Sequence, residues 1–134
     1  MTAPTLYSAN LDGLRTRPCD PLILAINGDG RPLRGLTAEV DWRIAGQLSE
    51  FARQVHGSED SPILRPPHPL VPCGRLILLR VGAYTPRELV RVVRGLNASQ
   101  PGLCPADFDF SDQEVHDAFR GDVILYGRTD DSVP

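Results

Sequence analysis

The sequence contains no lysine: all fourteen of its basic residues are arginine. A Schiff-base lysine, a lysine general base and the phosphate-gripping lysine of a P-loop are therefore excluded within these 134 residues. Long apolar runs are also missing. The most extended, Leu22 to Ile26 and Leu76 to Leu79, fall far short of the roughly 20 residues that a membrane-spanning helix needs. Cysteine is sparse, and Cys19, Cys73 and Cys104 are odd in number, widely spaced and without a CxxC pair. That argues against a disulfide framework or a zinc site and for a reduced, cytoplasmic setting. The stretch from Met1 to Cys19 scatters Asp12, Arg15 and Arg17 among apolar residues and lacks the layout of an export signal. No GxSxG elbow occurs, and His56, His68 and His116 lie too far apart to suggest a ligand set.

What is present is ordinary for a globular protein: 41% apolar and 23% charged residues, enough for one domain over residues 1–134 and too few for two separate cores. The formal charge of −3 is unevenly spread. Met1 to Gln100 carries twelve arginines against nine acids, and Pro101 to Pro134 two against eight.

Asp20-Pro21 introduces the aliphatic run Leu22 to Ile26, closed by Asn27-Gly28-Asp29-Gly30, which predicts a buried strand. Leu36, Val40, Ile44, Leu48, Phe51 and Val55 recur at helical spacing, with Thr37 as N-cap candidate and Gly57 beyond the end. This predicts one long amphipathic helix. Five prolines between Pro62 and Pro72 make the next stretch a connector, with room for a short strand at Ile63 and Leu64. Arg75 to Gly82 reads as a second strand, followed by the capping signature Thr85-Pro86-Arg87-Glu88 and a helix with Leu89, Val92, Val93 and Leu96 inward. Pro101 to Phe110 reads as a loop. Ser111 to Glu114 opens a shorter helix burying Val115, Ala118 and Phe119, and Asp122 to Gly127 forms the last strand. Thr5 to Leu11 can add an edge strand. The expected fold class is α/β: a three-layer αβα domain with a mostly parallel sheet of about four or five strands and about three helices.

The run Arg31-Pro32-Leu33-Arg34-Gly35-Leu36-Thr37-Ala38-Glu39-Val40-Asp41-Trp42-Arg43, with the helix, proline-bounded connector, strand and capped helix that follow, resembles the N-terminal domain of the M17 (leucyl) aminopeptidases. The likeness covers roughly residues 5–100, in segment order and texture. It implies a macro-domain-like fold. In that family the two metal ions and the catalytic lysine and arginine belong to a separate C-terminal domain, so the resemblance implies a module without peptidase activity, needing no metal or cofactor.

The macro-like fold makes Asn27, Gly28, Asp29, Gly30 and Arg31 candidate ligand residues for ADP-ribose or a related nucleotide. Glycines there let backbone N–H groups approach phosphate, and the following helix start favours an anion. The other reading is a plain strand-to-helix turn. Macro domains have longer glycine-rich loops here and after a later strand, where this chain offers only Val81-Gly82-Ala83-Tyr84. Asp107, Asp109, Asp112 and Glu114 superficially suggest a calcium loop, but the turn glycine is missing. Helix-start acids explain Asp112 and Glu114 without a metal.

Trp42 falls about 170° from the centre of its helix's apolar stripe and cannot share that core. Ala38, Ala45 and Ser49 lie beside it, small residues that permit close approach of another surface. Either the chain's own termini cover this face or a partner or second copy docks there. Arg87, Arg91 and Arg94, spaced four and three apart, line one side of the second helix, as a solvated face or a contact for an acidic protein or nucleic-acid phosphate. The expected function is a non-catalytic, cytoplasmic protein-protein interaction or regulatory module, not an enzyme. The alternatives are an ADP-ribose or nucleotide-binding domain and, more weakly, a DNA-binding regulator.

Overall fold

A computed structural model describes residues 4–26, 35–48, 63–96 and 100–127 of the chain. The elements in order are β1 (Leu6–Ser8), α1 (Leu11–Thr16), β2 (Leu22–Ile26), α2 (Gly35–Arg43), β3 (Ile63–Arg65), β4 (Leu76–Arg80), α3 (Pro86–Gly95), β5 (Gly102–Leu103), a 3-10 turn (Pro105–Phe108), α4 (Asp112–Ala118) and β6 (Ile124–Gly127). The strands form one six-stranded sheet in the order β1-β6-β5-β2-β4-β3. Every neighbouring pair is parallel except β3 with β4.

The two aliphatic runs become β2 and β4 because each can be buried on both faces. They pair from Leu22 against Leu76 to Ile26 against Arg80, and the two-residue period of a strand divides their side chains between two cores. Leu22, Leu24, Ile26, Leu76 and Leu78 face α1 and α2 with Leu36, Val40, Ile44 and Leu48. Ile23, Ala25, Ile77 and Leu79 face α3 and α4 with Leu89, Val93, Val115 and Phe119. Each buried Leu, Ile, Val or Phe among these stabilises the fold by about 1.5–3 kcal/mol relative to exposure. The result is the three-layer αβα arrangement expected from the sequence, with both edge strands, β1 and β3, where the sequence allowed them.

Local chemistry starts the helices. Thr85 Oγ1 accepts the Glu88 amide at 3.2 Å while Glu88 Oε1 accepts the Thr85 amide at 3.0 Å, closing the capping box that opens α3. Ser111 and Glu114 repeat the pattern at α4 with distances of 3.1 and 2.9 Å. Asn10 Oδ1 accepts the Gly13 amide at 2.9 Å to start α1, a helix the sequence pattern did not indicate.

Three expectations need correction. The long helix from Leu36 towards Val55 is interrupted: α2 ends at Arg43, and Ala45 (φ 58) and Gly46 (φ 81) turn the chain through left-handed backbone. The Gly46 amide reaches back to the Asp41 carbonyl at 2.9 Å, the long bond of a Schellman-type helix end. The four-residue spacing persists across the break because Ile44 and Leu48 still reach the same core; Phe51 and Val55 lie outside the described residues. Thr37 is no cap. It is fully buried within the first turn of α2, its hydroxyl without a hydrogen bond among the described residues. Finally, Pro101 to Phe110 is not only loop: Gly102–Leu103 is a strand held between β2 and β6.

Candidate functional site

The parallel strands all end on one edge of the sheet, and their exits diverge there. From β2 the chain passes to α2 on one face; from its neighbour β5 it passes through the 3-10 turn to α4 on the other. Such a switch point opens a crevice beyond the carboxyl ends of the strands, where α/β sheets take their ligands. A cleft of about 1150 Å³ occupies that position. Ala9 after β1, Gly127 at the end of β6 and Cys104 and Ala106 after β5 line it from the sheet side; Gly35, Ala38, Glu39 and Trp42 line it from α2.

Asp107 fastens the two diverging exits together. Its Oδ2 accepts the Leu36 amide at 2.9 Å, satisfying one of the orphan donors at the start of α2. Gly35 adopts φ 64, and a Cβ placed on it would overlap the Asp107 carboxylate. Glycine is required at that position for both its backbone and the close approach. The cap expected of Thr37 is thus supplied from a loop distant in sequence.

The cleft is acidic and aromatic on its described walls. Asp107, Asp112 and Glu39 contribute carboxylates, and Trp42 is 85% exposed at its side. Burial raises the Asp112 carboxyl above its ordinary pKa, since removal from water disfavours the charged form. Cys104 is buried at the cleft floor, and burial, reinforced by the charge of Asp107, pushes its thiol up to about 12. It is a neutral thiol at physiological pH and a poor nucleophile. Cys19 is likewise pushed up to about 12, chiefly by burial, and packs beside Tyr126, whose hydroxyl donates to the Arg17 carbonyl.

The structure brings Trp42 and Ala38 together in the cleft wall but separates Ala45 from them. That residue stands in the turn after α2, so it shares no continuous helical face with Trp42. Ser49 lies outside the described residues, as do Asn27, Gly28, Asp29, Gly30 and Arg31, which connect β2 to α2. Trp42 is excluded from the core as its wheel position requires, and none of the described residues covers it. Arg87, Arg91 and Arg94 are all exposed on α3, in the opposite helical layer. The Asp107 to Glu114 run does not act as one loop: Asp107 holds α2, Asp109 ends the 3-10 turn with φ 61, and Glu114 serves its capping box. No group of three metal-ligating side chains occurs among the described residues. Sequence reading missed Cys104, Glu39 and Gly127 as cleft residues and Asp107 as its organiser. Their signal is positional: each stands at, or just beyond, a strand's carboxyl end or faces it from the next helix.

No protein-family model matches this chain, and no curated protein matches its sequence. Solved structures do. The macrodomain of Mycobacterium tuberculosis DarG superposes with a TM-score of 0.62 at 14% identity, over 95% of this chain and 100% of that one. The Thermus aquaticus DarG macrodomain gives 0.58 at 13%, over 92% and 96%. A Trypanosoma brucei macrodomain in complex with ADP-ribose gives 0.64 at 12%, over 96% of this chain and 65% of that one. The fold is macrodomain-like. Such identities establish architecture alone, and the macrodomain-like fold is what the leucyl aminopeptidase resemblance implied. Nothing in these likenesses ties the chain to the aminopeptidases themselves. Within the macrodomain-like sheet, the described residues include no helix long and apolar enough to cross a membrane.

Proposed function

We propose that this domain binds a nucleotide of the ADP-ribose class in the cleft beyond the carboxyl ends of β2 and β5. The observation that carries the reading is the coincidence of a macrodomain-like sheet with an open cleft of about 1150 Å³ at its switch point. That volume is ample for an elongated dinucleotide-sized ligand. Trp42 offers a flat surface on which a base can stack. Glu39 and Asp112 are acceptors for the N–H and O–H groups of base and ribose. The Trypanosoma brucei macrodomains were solved with ADP and with ADP-ribose, which makes those the first ligands to try.

The reading is of a binder and not an enzyme. The cleft's thiol is neutral, and the chain has no lysine to act as base or nucleophile. The three free thiols suit a reducing, cytoplasmic compartment. Calorimetric titration with ADP-ribose, ADP and AMP tests the proposal: saturable heat supports it, and no heat at about 1 mM ligand overturns it. Chromatography of the recovered ligand tests the absence of turnover.

A second reading, protein docking, is favoured by the exposure of Trp42 beside the small residue Ala38. Aromatic anchors in such settings are typical of protein interfaces. Loss of a co-purifying partner on Trp42→Ala, with the fold retained, is its test.

A further inference from the structure

Two helix faces of opposite character stand in opposite layers of the sandwich. On α3, Arg87, Arg91 and Arg94 are exposed, and none has a carboxylate partner among the described residues. The stability of its own helix explains only part of the stripe: Arg94 lies in the last turn, where the macrodipole favours a cation. Arg87 sits in the first turn, where the macrodipole disfavours a cation, and the adjacent Glu88 is committed to the capping box. On α2, Trp42 and Glu39 project from the wall of the cleft beside the small Ala38, with Asp112 across it. A guanidinium stacks on an indole face and pairs with carboxylates more favourably than any other side chain does.

We infer that the arginine stripe of α3 in one copy of this chain docks on the Trp42 and Glu39 face of α2 in a second copy. The stripe spans about 10 Å and the stretch from Ala38 to Trp42 about 6 Å at the helical rise, so the acceptor residues fall within the reach of the stripe. The two surfaces are different and belong to opposite layers of the sheet, so the contact is heterologous. Each docked pair leaves one stripe and one tryptophan face unused, and copies add head to tail instead of closing as a two-fold dimer. The contact needs no nucleotide, but Trp42 and Glu39 line the cleft given to the ligand above, so a second copy and a nucleotide compete for them.

The experiment is sedimentation of the full chain over a concentration series, without nucleotide, at low and high salt. The average mass is expected to rise steadily with concentration and to fall when salt shortens the screening length below about 8 Å. A variant lacking the acceptor face (Trp42→Ala with Glu39→Ala) and one lacking the stripe (Arg87→Ala, Arg91→Ala and Arg94→Ala) are each expected to be monomeric. Mixed in equal amounts they are expected to form a heterodimer that grows no further, because only one intact contact remains between them. A wild-type chain that stays monomeric at about 1 mM, self-association indifferent to the arginine substitutions, or a mixture that remains two monomers overturns the inference. Circular dichroism checks the fold of each variant. Should either set unfold, Glu39→Arg and Arg91→Glu replace them: each alone abolishes association and the two combined in one chain restore it, and failure to restore overturns the inference.

Discussion

The Asp107 carboxylate accepts the Leu36 amide at 2.9 Å although 71 residues separate them in the chain. That bond joins the exit of β5 to the start of α2 across the point where the chain's connections part. Asp107 thereby lines the cleft as well as capping a helix. Replacing Asp107 with alanine is expected to cost about 1–2 kcal/mol, the range for losing a helix cap with a part-buried donor left behind. Thermal denaturation reads this directly. Asp107→Asn, which keeps an acceptor, is expected to lose less than half as much; equal losses for the two variants would show that the bond contributes nothing specific.

Gly35 faces the same carboxylate. Gly35→Ala is expected to destabilise by more than the roughly 1–2 kcal/mol of left-handed backbone alone, because its Cβ also collides with Asp107. In the double variant with Asp107→Ala the collision disappears while the backbone cost stays. The two losses are therefore expected to fall short of additivity by about 1 kcal/mol, and strict additivity in denaturant titrations would separate the two residues.

Trp42→Ala is expected to leave stability within about 0.5 kcal/mol of the parent, as an exposed position should. The same substitution is expected to weaken ADP-ribose binding about tenfold, the order of one lost stacking contact. Calorimetry on the folded variant checks both halves. A large loss of stability with unchanged binding would place Trp42 in the structure and outside the ligand's reach.

Alkali is expected to unfold the domain early. Burial raises the Cys19 and Cys104 thiols from an ordinary 9.0 to about 12. Between those values the unfolded chain releases protons that the folded chain keeps, so stability is full below pH 9 and falls as pH rises towards 12. The slope approaches about 1.4 kcal/mol per pH unit for each such thiol. Cys104→Ala is expected to flatten the fall in denaturation midpoints, and an unaltered slope would mean that this thiol does not carry the effect. Iodoacetamide at pH 8 is expected to label the native chain slowly and the unfolded chain fast.

The architecture was legible because it rests on short-range patterns. Leu22 to Ile26 and Leu76 to Leu79 can only be buried strands, and Thr85 with Glu88 and Ser111 with Glu114 announce their helices within four residues. The break at Ala45 was hidden because Ile44 and Leu48 keep their spacing on either side of it. Strand β5 was hidden because Gly102 and Leu103 form a pair too short for any periodicity. The cleft was the least legible part. Trp42 and Ala38 could be placed on an outward face by helical geometry, but their neighbours Asp107, Cys104 and Gly127 arrive from other strands. Only the sheet order 1-6-5-2-4-3 brings them together.

The most direct test of a ligand cleft at this switch point is the set of backbone and indole resonances that move when ADP-ribose is titrated into the labelled chain. The account predicts saturable shifts grouped at the Trp42 indole, Ala38, Cys104, Asp107 and Gly127, with the α3 amides undisturbed. Shifts centred on α3 or the β3 edge, or none with ligand in large excess, would contradict it.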